Sequence, residues 1–253
     1  MTTKRLTRVD RSVRSVEVMT IIAMGGGGFS METSPLLDDY ILAAARRPNP
    51  RVLFVPTASG DSSEYIGKFY RALARRCEAR HLELFRRETG DLNALVLEHD
   101  VIYVGGGNTV NMLAIWRAHG FDQILRDALA SGIVLVGISA GAVCWFEGTI
   151  TDSFGPLAQL KDGLGMLPGV LVPHYDGEIE RRRALHRAII DGAWTSAIAV
   201  DDSAAVVFRE RELVEVVTSR PHAAAYRVEK PGSDVVETRL EARYLGIIPS
   251  SNR

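Results

Sequence analysis

A serine between two glycines is the part of this sequence best suited to covalent catalysis. Residues 137–141 read Gly-Ile-Ser-Ala-Gly, after the apolar run 133–136 and before the helical pattern 142–146. In this G-x-S-x-G pattern the serine lies in a sharp turn between a strand and a helix, and the glycines let neighbouring backbone approach it. The N–H groups at the start of the helix face the same point. We therefore predict that Ser139 is a nucleophile.

A serine hydroxyl becomes a useful nucleophile only when a base lies within hydrogen-bond reach. The chain contains six histidines. His174 follows the apolar run 169–172 and Pro173, where a strand would end at the predicted catalytic edge of the sheet. The other five lie in charged segments, at helix ends, on a helical face or among the later strands. His174 is therefore the predicted general base.

The base needs a carboxylate that orients its ring and stabilises the imidazolium. Asp201 and Asp202 follow the strand-like run 197–200, so both are placed at a strand end. The sequence favours this pair without separating its two members. The other candidates for the acidic residue are Asp152, Asp176 and Glu178.

Two glycine runs follow predicted strands. Gly105–Gly107 can bring backbone N–H groups close to a substrate oxygen. Together with the N–H that follows the nucleophile, this run predicts an oxyanion hole formed by Gly106, Gly107 and Ala140. The other run, Gly25–Gly28, lacks the G-x-G-x-x-G spacing and the lysine of nucleotide-binding loops, which favours a tight turn.

Apolar runs alternate with helical patterns through most of the chain. Such alternation predicts βαβ crossovers, and thus an α/β fold with a mostly parallel sheet covered by helices on both faces. After about residue 198 the pattern changes to strands with tight polar turns, which predicts C-terminal, mostly antiparallel strands that extend the same domain. The predicted strands cover residues 19–24, 51–56, 81–85, 100–104, 132–138, 204–208, 213–218, 223–228 and 235–244, and the predicted helices cover residues 36–47, 64–80, 110–119 and 121–131.

Composition excludes several classes of protein. The 253 residues are 46% hydrophobic and 24% charged, which is typical of a soluble globular protein. With 30 Lys and Arg against 31 Asp and Glu, the chain has no positive field for nucleic acid or an anionic membrane, and no apolar run could span a bilayer. Its two cysteines cannot form a disulfide scaffold and lack metal-ligand spacing. We expect a cytoplasmic protein with a disordered basic tail at residues 1–18 and a single α/β domain at residues 19–253.

Several motifs together resemble the peptidase E and cyanophycinase family of serine peptidases. They are Val104-Gly105-Gly106-Gly107-Asn108-Thr109, Gly137-Ile138-Ser139-Ala140-Gly141-Ala142, Thr151-Asp152-Ser153, Pro173-His174-Tyr175 and Val200-Asp201-Asp202-Ser203. The resemblance implies a fold similar to class I glutamine amidotransferases, with Ser139 as nucleophile and His174 as base. It also puts Asp202 at the position of the acidic triad member, which is often Glu in the family, and Asp152 near the amino group of the substrate.

The resemblance also implies a reaction. Peptidase E cleaves dipeptides with an N-terminal aspartate, whereas cyanophycinases cleave β-aspartyl-arginine units. We therefore expect a hydrolase that forms an acyl-enzyme with a small peptide substrate, requires neither a metal nor an organic cofactor, and acts as a monomer or homodimer. The candidate substrate-binding residues are Asn108, Asp152, Asp176, Glu178 and Arg182.

Alternatives for the substrate and the activity remain open. The arginines at 181–183 could bind a substrate carboxylate, or form a solvated helix face paired with acidic neighbours. Asp176 and Glu178 could instead receive the arginine of a β-aspartyl peptide. From a different class of function, the fold could serve as a non-catalytic small-molecule binder. In that case Ser139 and His174 would lie beyond hydrogen-bond reach of each other.

Overall fold

The computed structural model describes residues 18–86 and 90–247, which form seven α-helices and fourteen strands. Of the predicted basic tail, residues 1–17 lie outside the described part of the chain. None of the helices in the described part has the length and apolar character needed to span a bilayer. The strands are β1 (Thr20–Met24), β2 (Arg51–Val55), β3 (Glu78–His81), β4 (Val101–Val104), β5 (Val134–Ile138), β6 (Thr149–Thr151), β7 (Ala158–Leu160), β8 (Leu171–Val172), β9 (Ser196–Val200), β10 (Ala204–Arg209), β11 (Glu212–Thr218), β12 (Ala225–Glu229), β13 (Val236–Arg239) and β14 (Arg243–Tyr244). The helices are α1 (Leu36–Ala44), α2 (Ser63–Leu73), α3 (Leu92–Leu97), α4 (Thr109–His119), α5 (Phe121–Ala130), α6 (Ala140–Val143) and α7 (Ile179–Ile190).

Eight strands form a central sheet in the order β14-β11-β10-β1-β5-β4-β2-β3. Within this order, the five neighbouring strands β1, β5, β4, β2 and β3 are parallel to one another. On the other side of β1, β10 and β11 add antiparallel strands. The parallel strands end at the same edge of the sheet, so the loops after β1, β4 and β5 meet there. The predicted α/β fold with a mostly parallel sheet is confirmed.

Helices cover both faces of this sheet. Successive strand residues point to opposite sides, so the apolar strands present side chains to the helices on each face. On one face, Met24 and Phe54 belong to the same apolar cluster as the inner residues of α1 and α2. On the other face, Leu53 and Val104 pack with residues of α3, α4 and α5. All four strand side chains are fully buried, which explains why these strands appear in the sequence as continuous apolar runs.

The late strands are mostly antiparallel, as the sequence pattern predicts, and they divide between two sheets. β10 and β11 join the central sheet, whereas β12 and β13 pair with β9 and β8 in a four-stranded sheet of order β13-β12-β9-β8. Helix α7 packs on this second sheet, where Leu185 and Ile189 share an apolar cluster with Val172 and Ala199. The division arises at residues 201–203, which carry the chain directly from β9 of the second sheet into β10 of the central sheet.

Some short or polar elements differ from the sequence prediction. Helix α2 ends at Leu73, because the N–H of Arg76 turns back to the carbonyl of Leu73 at 2.8 Å. The chain then enters β3, which begins earlier than the predicted strand 81–85 and pairs with β2 at the edge of the sheet. β3 alternates exposed and half-buried residues, so it lacks the apolar run that marks the inner strands. Helix α3 and the hairpin of β6 and β7 are too short to produce a clear pattern.

One carboxylate of the second sheet is surrounded by hydrogen-bond donors. Glu237 of β13 accepts hydrogen bonds from Arg182 and Tyr175, and Nε2 of His186 lies 2.6 Å from its Oε1. Burial by itself raises the pKa of the Glu237 carboxyl, but these hydrogen bonds outweigh burial and lower the pKa to about 2. The cluster joins α7 to the edge strand of the second sheet.

We expect Glu237→Gln to lower the free energy of unfolding by about 1–3 kcal/mol at neutral pH, because charge-assisted hydrogen bonds are lost. The pKa of Glu237 is depressed in the folded state, so its contribution is present above the usual value of 4.5 and is lost as the pH falls toward about 2. Denaturant unfolding followed by circular dichroism measures this difference from neutral to acidic pH. The difference should shrink on acidification. A constant difference, or an equal loss in the control Glu229→Gln on β12, would contradict this role of Glu237.

Candidate active site

Ser139 lies in a strained turn at the end of a central strand. It follows β5 and precedes α6, with backbone angles φ 52° and ψ −113°. These angles are unfavourable for a residue with a side chain and present the hydroxyl at the edge of the sheet. A Cβ on Gly137 would lie 1.9 Å from the carbonyl oxygen of Gly141, and one on Gly141 would lie 2.4 Å from that of Val104. The turn therefore requires both glycines of the motif.

His174 connects Ser139 to Asp202. Its Nε2 lies 2.8 Å from Oγ of Ser139, and its Nδ1 lies 2.6 Å from Oδ1 of Asp202. Because a carboxylate only accepts, Nδ1–H donates to Asp202, which leaves Nε2 to accept the hydroxyl proton of Ser139. The hydrogen bond from His174 lowers the pKa of Asp202 against the opposing effect of burial. The side chains of His174 and Asp202 are 17% and 22% exposed, so the pair is largely shielded from solvent.

His174 and Asp202 both lie in loops that follow strands of the second sheet. His174 follows β8 and has a positive φ of 54°, and Asp202 follows β9. Asp202 also forms an isolated parallel bridge with Gly26, in the loop after β1. A Cβ on Gly26 would lie 2.1 Å from Oδ1 of Asp202, so only glycine leaves room for the carboxylate. The glycine run after β1 thus makes space for the acidic residue of the site.

Asp202, and not its neighbour Asp201, contacts His174. Asp201 is buried and accepts the N–H of Ala224 at 2.9 Å. Burial, with a smaller contribution from nearby Asp176, raises the pKa of Asp201 to about 6. The remaining acids have other partners: Asp176 accepts the N–H of Asp202, while Glu178 and Asp152 lie beside Arg181.

The glycine loop after β4 is anchored at both ends. The N–H of Gly105 donates to the carbonyl of Val55 at 3.1 Å, and the N–H of Asn108 donates to that of Ala58 at 2.7 Å. These contacts fix the loop against the ends of β2 and the turn that follows it. A Cβ on Gly106 would lie 4.0 Å from Oγ of Ser139, so the loop passes beside the hydroxyl.

The N–H groups of this loop have different surroundings. The N–H of Gly106 donates to the hydroxyl of Tyr65 at 3.3 Å. By contrast, the N–H groups of Gly107 and Ala140 have no acceptor within residues 18–86 and 90–247, and both residues line the cavity at Ser139. Of the three predicted oxyanion donors, Gly107 and Ala140 are therefore available, whereas Gly106 is engaged. Tyr65 belongs to no motif, so nothing in the sequence points to it.

A narrow cavity beside Ser139 is lined by a buried arginine side chain. Arg181 of α7 is 5% exposed, and its Nε donates to Oε2 of Glu178 at 2.8 Å. Its Nη1 donates to the carbonyl of Ile150 at 2.6 Å, and its Nη2 lies 3.9 Å from Oδ1 of Asp152. Arg181 and Asp152 both line the cavity. The cavity thus presents one positive and one negative group next to the serine.

Arg182, the arginine that the sequence suggests for substrate binding, points away from this cavity. It binds Glu237 and lies over the ring of Tyr175, 4.9 Å from its centre. Successive helical residues differ in direction by about 100°, so Arg181 reaches the cavity and Arg182 does not. The sequence does carry this signal, because Arg181 has the helical spacing of the buried residues Leu185, Ala188 and Ile189.

Asn108 holds the wall of the cavity that carries Asp152. Its Oδ1 caps α4 by accepting the N–H of Asn111 at 2.9 Å, and its Nδ2 donates to the carbonyl of Ser153 at 3.0 Å. Oγ of Ser153 in turn accepts the N–H of Thr109 at 3.1 Å. Both ends of the Asn108 amide are therefore engaged within the protein.

Most of the chain matches a known peptidase family. Residues 21–216 match the model of peptidase family S51. The uncharacterized peptidase YgaJ of Bacillus subtilis is 52% identical over 228 residues, which are 89% of this chain and 99% of that protein. Peptidase E of Streptomyces coelicolor is 30% identical over 128 residues, which are 49% of this chain and 51% of that protein.

Solved structures of peptidases share the fold. The crystal structure of a peptidase from an acI-B1 Actinobacterium has a TM-score of 0.67 and 19% identity, and the match covers 90% of this chain and 96% of that chain. A putative peptidase E from Listeria monocytogenes has a TM-score of 0.60 and 18% identity, with 88% and 100% covered. The resemblance to the peptidase E family is thus confirmed, and the chain belongs to peptidase family S51 as a serine-type peptidase.

Proposed function

We propose that this peptidase hydrolyses short peptides by acyl transfer to water, with Ser139 as nucleophile, His174 as general base and Asp202 as the group that orients the imidazole. The observation that carries the proposal is the unbroken line of hydrogen bonds, of 2.8 and 2.6 Å, from Oγ of Ser139 through His174 to Asp202. Serine, imidazole and carboxylate in this order are typical of Ser-His-Asp hydrolases. A non-catalytic binding protein would need neither this series of hydrogen bonds nor a serine at unfavourable backbone angles.

In the first half-reaction, Oγ of Ser139 attacks the substrate carbonyl carbon while its proton moves to Nε2 of His174. The carbonyl oxygen becomes an oxyanion, to which the N–H groups of Gly107 and Ala140 donate. Each such donor contributes roughly 3 kcal/mol of transition-state stabilisation. The imidazolium then gives its proton to the leaving amine as the C–N bond breaks. The acyl group remains on Ser139.

Water completes the reaction. His174 takes a proton from a water molecule, and the resulting hydroxide attacks the acyl carbon. When this second tetrahedral intermediate collapses, Nε2 returns its proton to Oγ of Ser139 and the acid is released. Asp202 stays ionised throughout, because its lowered pKa favours the carboxylate that stabilises the imidazolium.

The charges beside Ser139 support a substrate with an N-terminal acidic residue. Arg181 would bind the side-chain carboxylate, and Asp152 would bind the free ammonium group. Nη2 of Arg181 and Oδ1 of Asp152 are 3.9 Å apart, beyond hydrogen-bond distance, so each keeps capacity for a ligand. An N-terminal aspartate carries both complementary charges on adjacent carbons. A dipeptide of this kind is therefore the substrate we propose.

The β-aspartyl-arginine alternative has less support. Asp176 and Glu178 would have to receive the arginine side chain of such a peptide. These two carboxylates already pair with Arg220 and Arg181. The α-aspartyl substrate needs no such rearrangement.

Ser139→Ala should abolish covalent labelling by a fluorophosphonate probe while the fold stays intact, because the probe reacts with the activated hydroxyl. In-gel labelling measures the reaction, and circular dichroism checks the fold. Ser131→Ala, at an exposed serine after α5, is the matched control and should label like the wild type. Equal labelling of wild type and Ser139→Ala would remove Ser139 from the mechanism.

Asp202→Asn should lower kcat by roughly 10³- to 10⁴-fold, because the amide no longer selects the imidazole tautomer that leaves Nε2 free to accept. Asp201→Asn is the control, since its side-chain oxygen can still accept the N–H of Ala224. It should keep most of the activity. Steady-state hydrolysis of an α-aspartyl dipeptide measures both variants. A larger loss of activity in Asp201→Asn than in Asp202→Asn would contradict the role proposed for Asp202 and assign it to Asp201.

Arg181→Gln should lower kcat/KM for α-aspartyl dipeptides by about 10- to 100-fold, since charge-assisted hydrogen bonds contribute about 1.5–3 kcal/mol. Alanyl dipeptides should be affected much less, and phosphonate labelling should continue. Arg183→Gln, an exposed arginine of the same helix, is the control. The substrate proposal fails if aspartyl and alanyl peptides lose equally, or if the wild type cleaves β-aspartyl dipeptides faster than α-aspartyl ones.

A further inference from the structure

Two charged side chains clamp the backbone of Asp202, one at its N–H and the other at its carbonyl oxygen. Oδ1 of Asp176 accepts a hydrogen bond from the N–H of Asp202 at 2.8 Å. Nη2 of Arg220 donates to the carbonyl oxygen of Asp202 at 2.9 Å and to Oδ2 of Asp176 at 3.2 Å. These three contacts form a closed ring that fixes both the N–H and the carbonyl of Asp202.

The clamp also joins the segments that carry the site. Asp176 lies two residues after His174, and the N–H of the intervening Tyr175 donates to the last carbonyl of β9 at 3.2 Å. Arg220 comes from a third segment, after β11. His174 and Asp202 are thus connected twice, once through their own side chains and once through Asp176.

The side chain of Asp202 has little freedom once its backbone is fixed. A Cβ on Gly26 would lie 2.1 Å from its Oδ1, and one on Gly177 would lie 3.4 Å from its Oδ2. The position of the backbone therefore decides whether Oδ1 meets Nδ1 of His174 at 2.6 Å. A displacement of about 1 Å at such a contact can cost on the order of 100-fold in rate.

We propose that Asp176 and Arg220 are positioning residues that set the distance between Asp202 and His174. The inference rests on the proposed catalytic function of Asp202. It gives Asp176, a candidate for substrate binding on sequence grounds, a different task, because both of its carboxylate oxygens are engaged within the protein. His174 chiefly, and the charge of Arg220 in addition, lower the pKa of Asp202, so the clamp also favours its ionised form.

Inactivation by a small fluorophosphonate that carries no peptide measures the reactivity of Ser139 separately from peptide binding. Asp176→Ala removes the acceptor for the N–H of Asp202 and should slow inactivation by roughly 10- to 100-fold. Asp176→Asn keeps an oxygen acceptor and should recover most of the rate. Arg220→Gln should also slow the reaction. The double variant Asp176→Ala/Arg220→Gln should slow it by less than the product of the two single-variant factors, since the two residues act as a unit. On peptide, kcat should fall while KM stays near its wild-type value.

Asp162→Ala is the matched control. Arg117 donates to the carboxylate of Asp162 at 2.7 Å and to its carbonyl oxygen at 2.8 Å. An arginine thus makes similar contacts with an aspartate away from Ser139. This variant should be inactivated at the wild-type rate.

The possible failures can be told apart. A wild-type inactivation rate in Asp176→Ala together with a raised KM would overturn the proposal and return Asp176 to substrate binding. Equal slowing of Asp176→Ala and Asp176→Asn would also overturn it, because the hydrogen-bond acceptor would then not matter. If the wild type itself is not labelled at Ser139, the proposed function fails first, and the positioning roles fail with it.

Discussion

The site depends on a line of hydrogen bonds that crosses from one sheet to another. Ser139 follows a strand of the central sheet, whereas His174 and Asp202 follow strands of the second sheet. Contacts of 2.8 and 2.6 Å survive only if the two sheets keep their relative position to a fraction of an ångström. The chain secures this where it passes from β9 into β10, since the N–H of Ser203 donates to the carbonyl of Gly26 at 3.0 Å. The loop after the first strand therefore ties the acidic residue to the sheet that carries the serine.

One short segment after the histidine contributes to three parts of the structure. Asp176 holds the backbone of Asp202, Arg181 lies in the cavity beside the serine, and Arg182 binds Glu237 within the second sheet. The two arginines are adjacent in sequence yet have separate tasks, because a helix directs consecutive side chains to different sides. Charged residues of this segment thus contact both the candidate site and the second sheet, and of the two arginines Arg181 is the one that lines the cavity beside Ser139.

The sequence predicts the features that depend on local pattern. The turn at Ser139 follows from its flanking glycines, and the parallel sheet follows from continuous apolar strands. Contacts between distant segments are not encoded in this way. Strand periodicity cannot separate Asp201 from Asp202, because the turn after β9 decides which one faces the histidine. Tyr65 and Arg220 reach the site from segments without a motif. Similarly, an apolar pattern shows that a late strand is buried without showing which of the two sheets it joins.

A crystal structure of the protein after reaction with a fluorophosphonate tests the hydrogen-bonded line most directly. We expect a covalent bond from Oγ of Ser139 to phosphorus and a phosphonyl oxygen within hydrogen-bond distance of the N–H groups of Gly107 and Ala140. His174 should remain bound to Asp202 in the same crystal. An adduct on another residue, or a phosphonyl oxygen directed away from both N–H groups, would contradict the proposed mechanism.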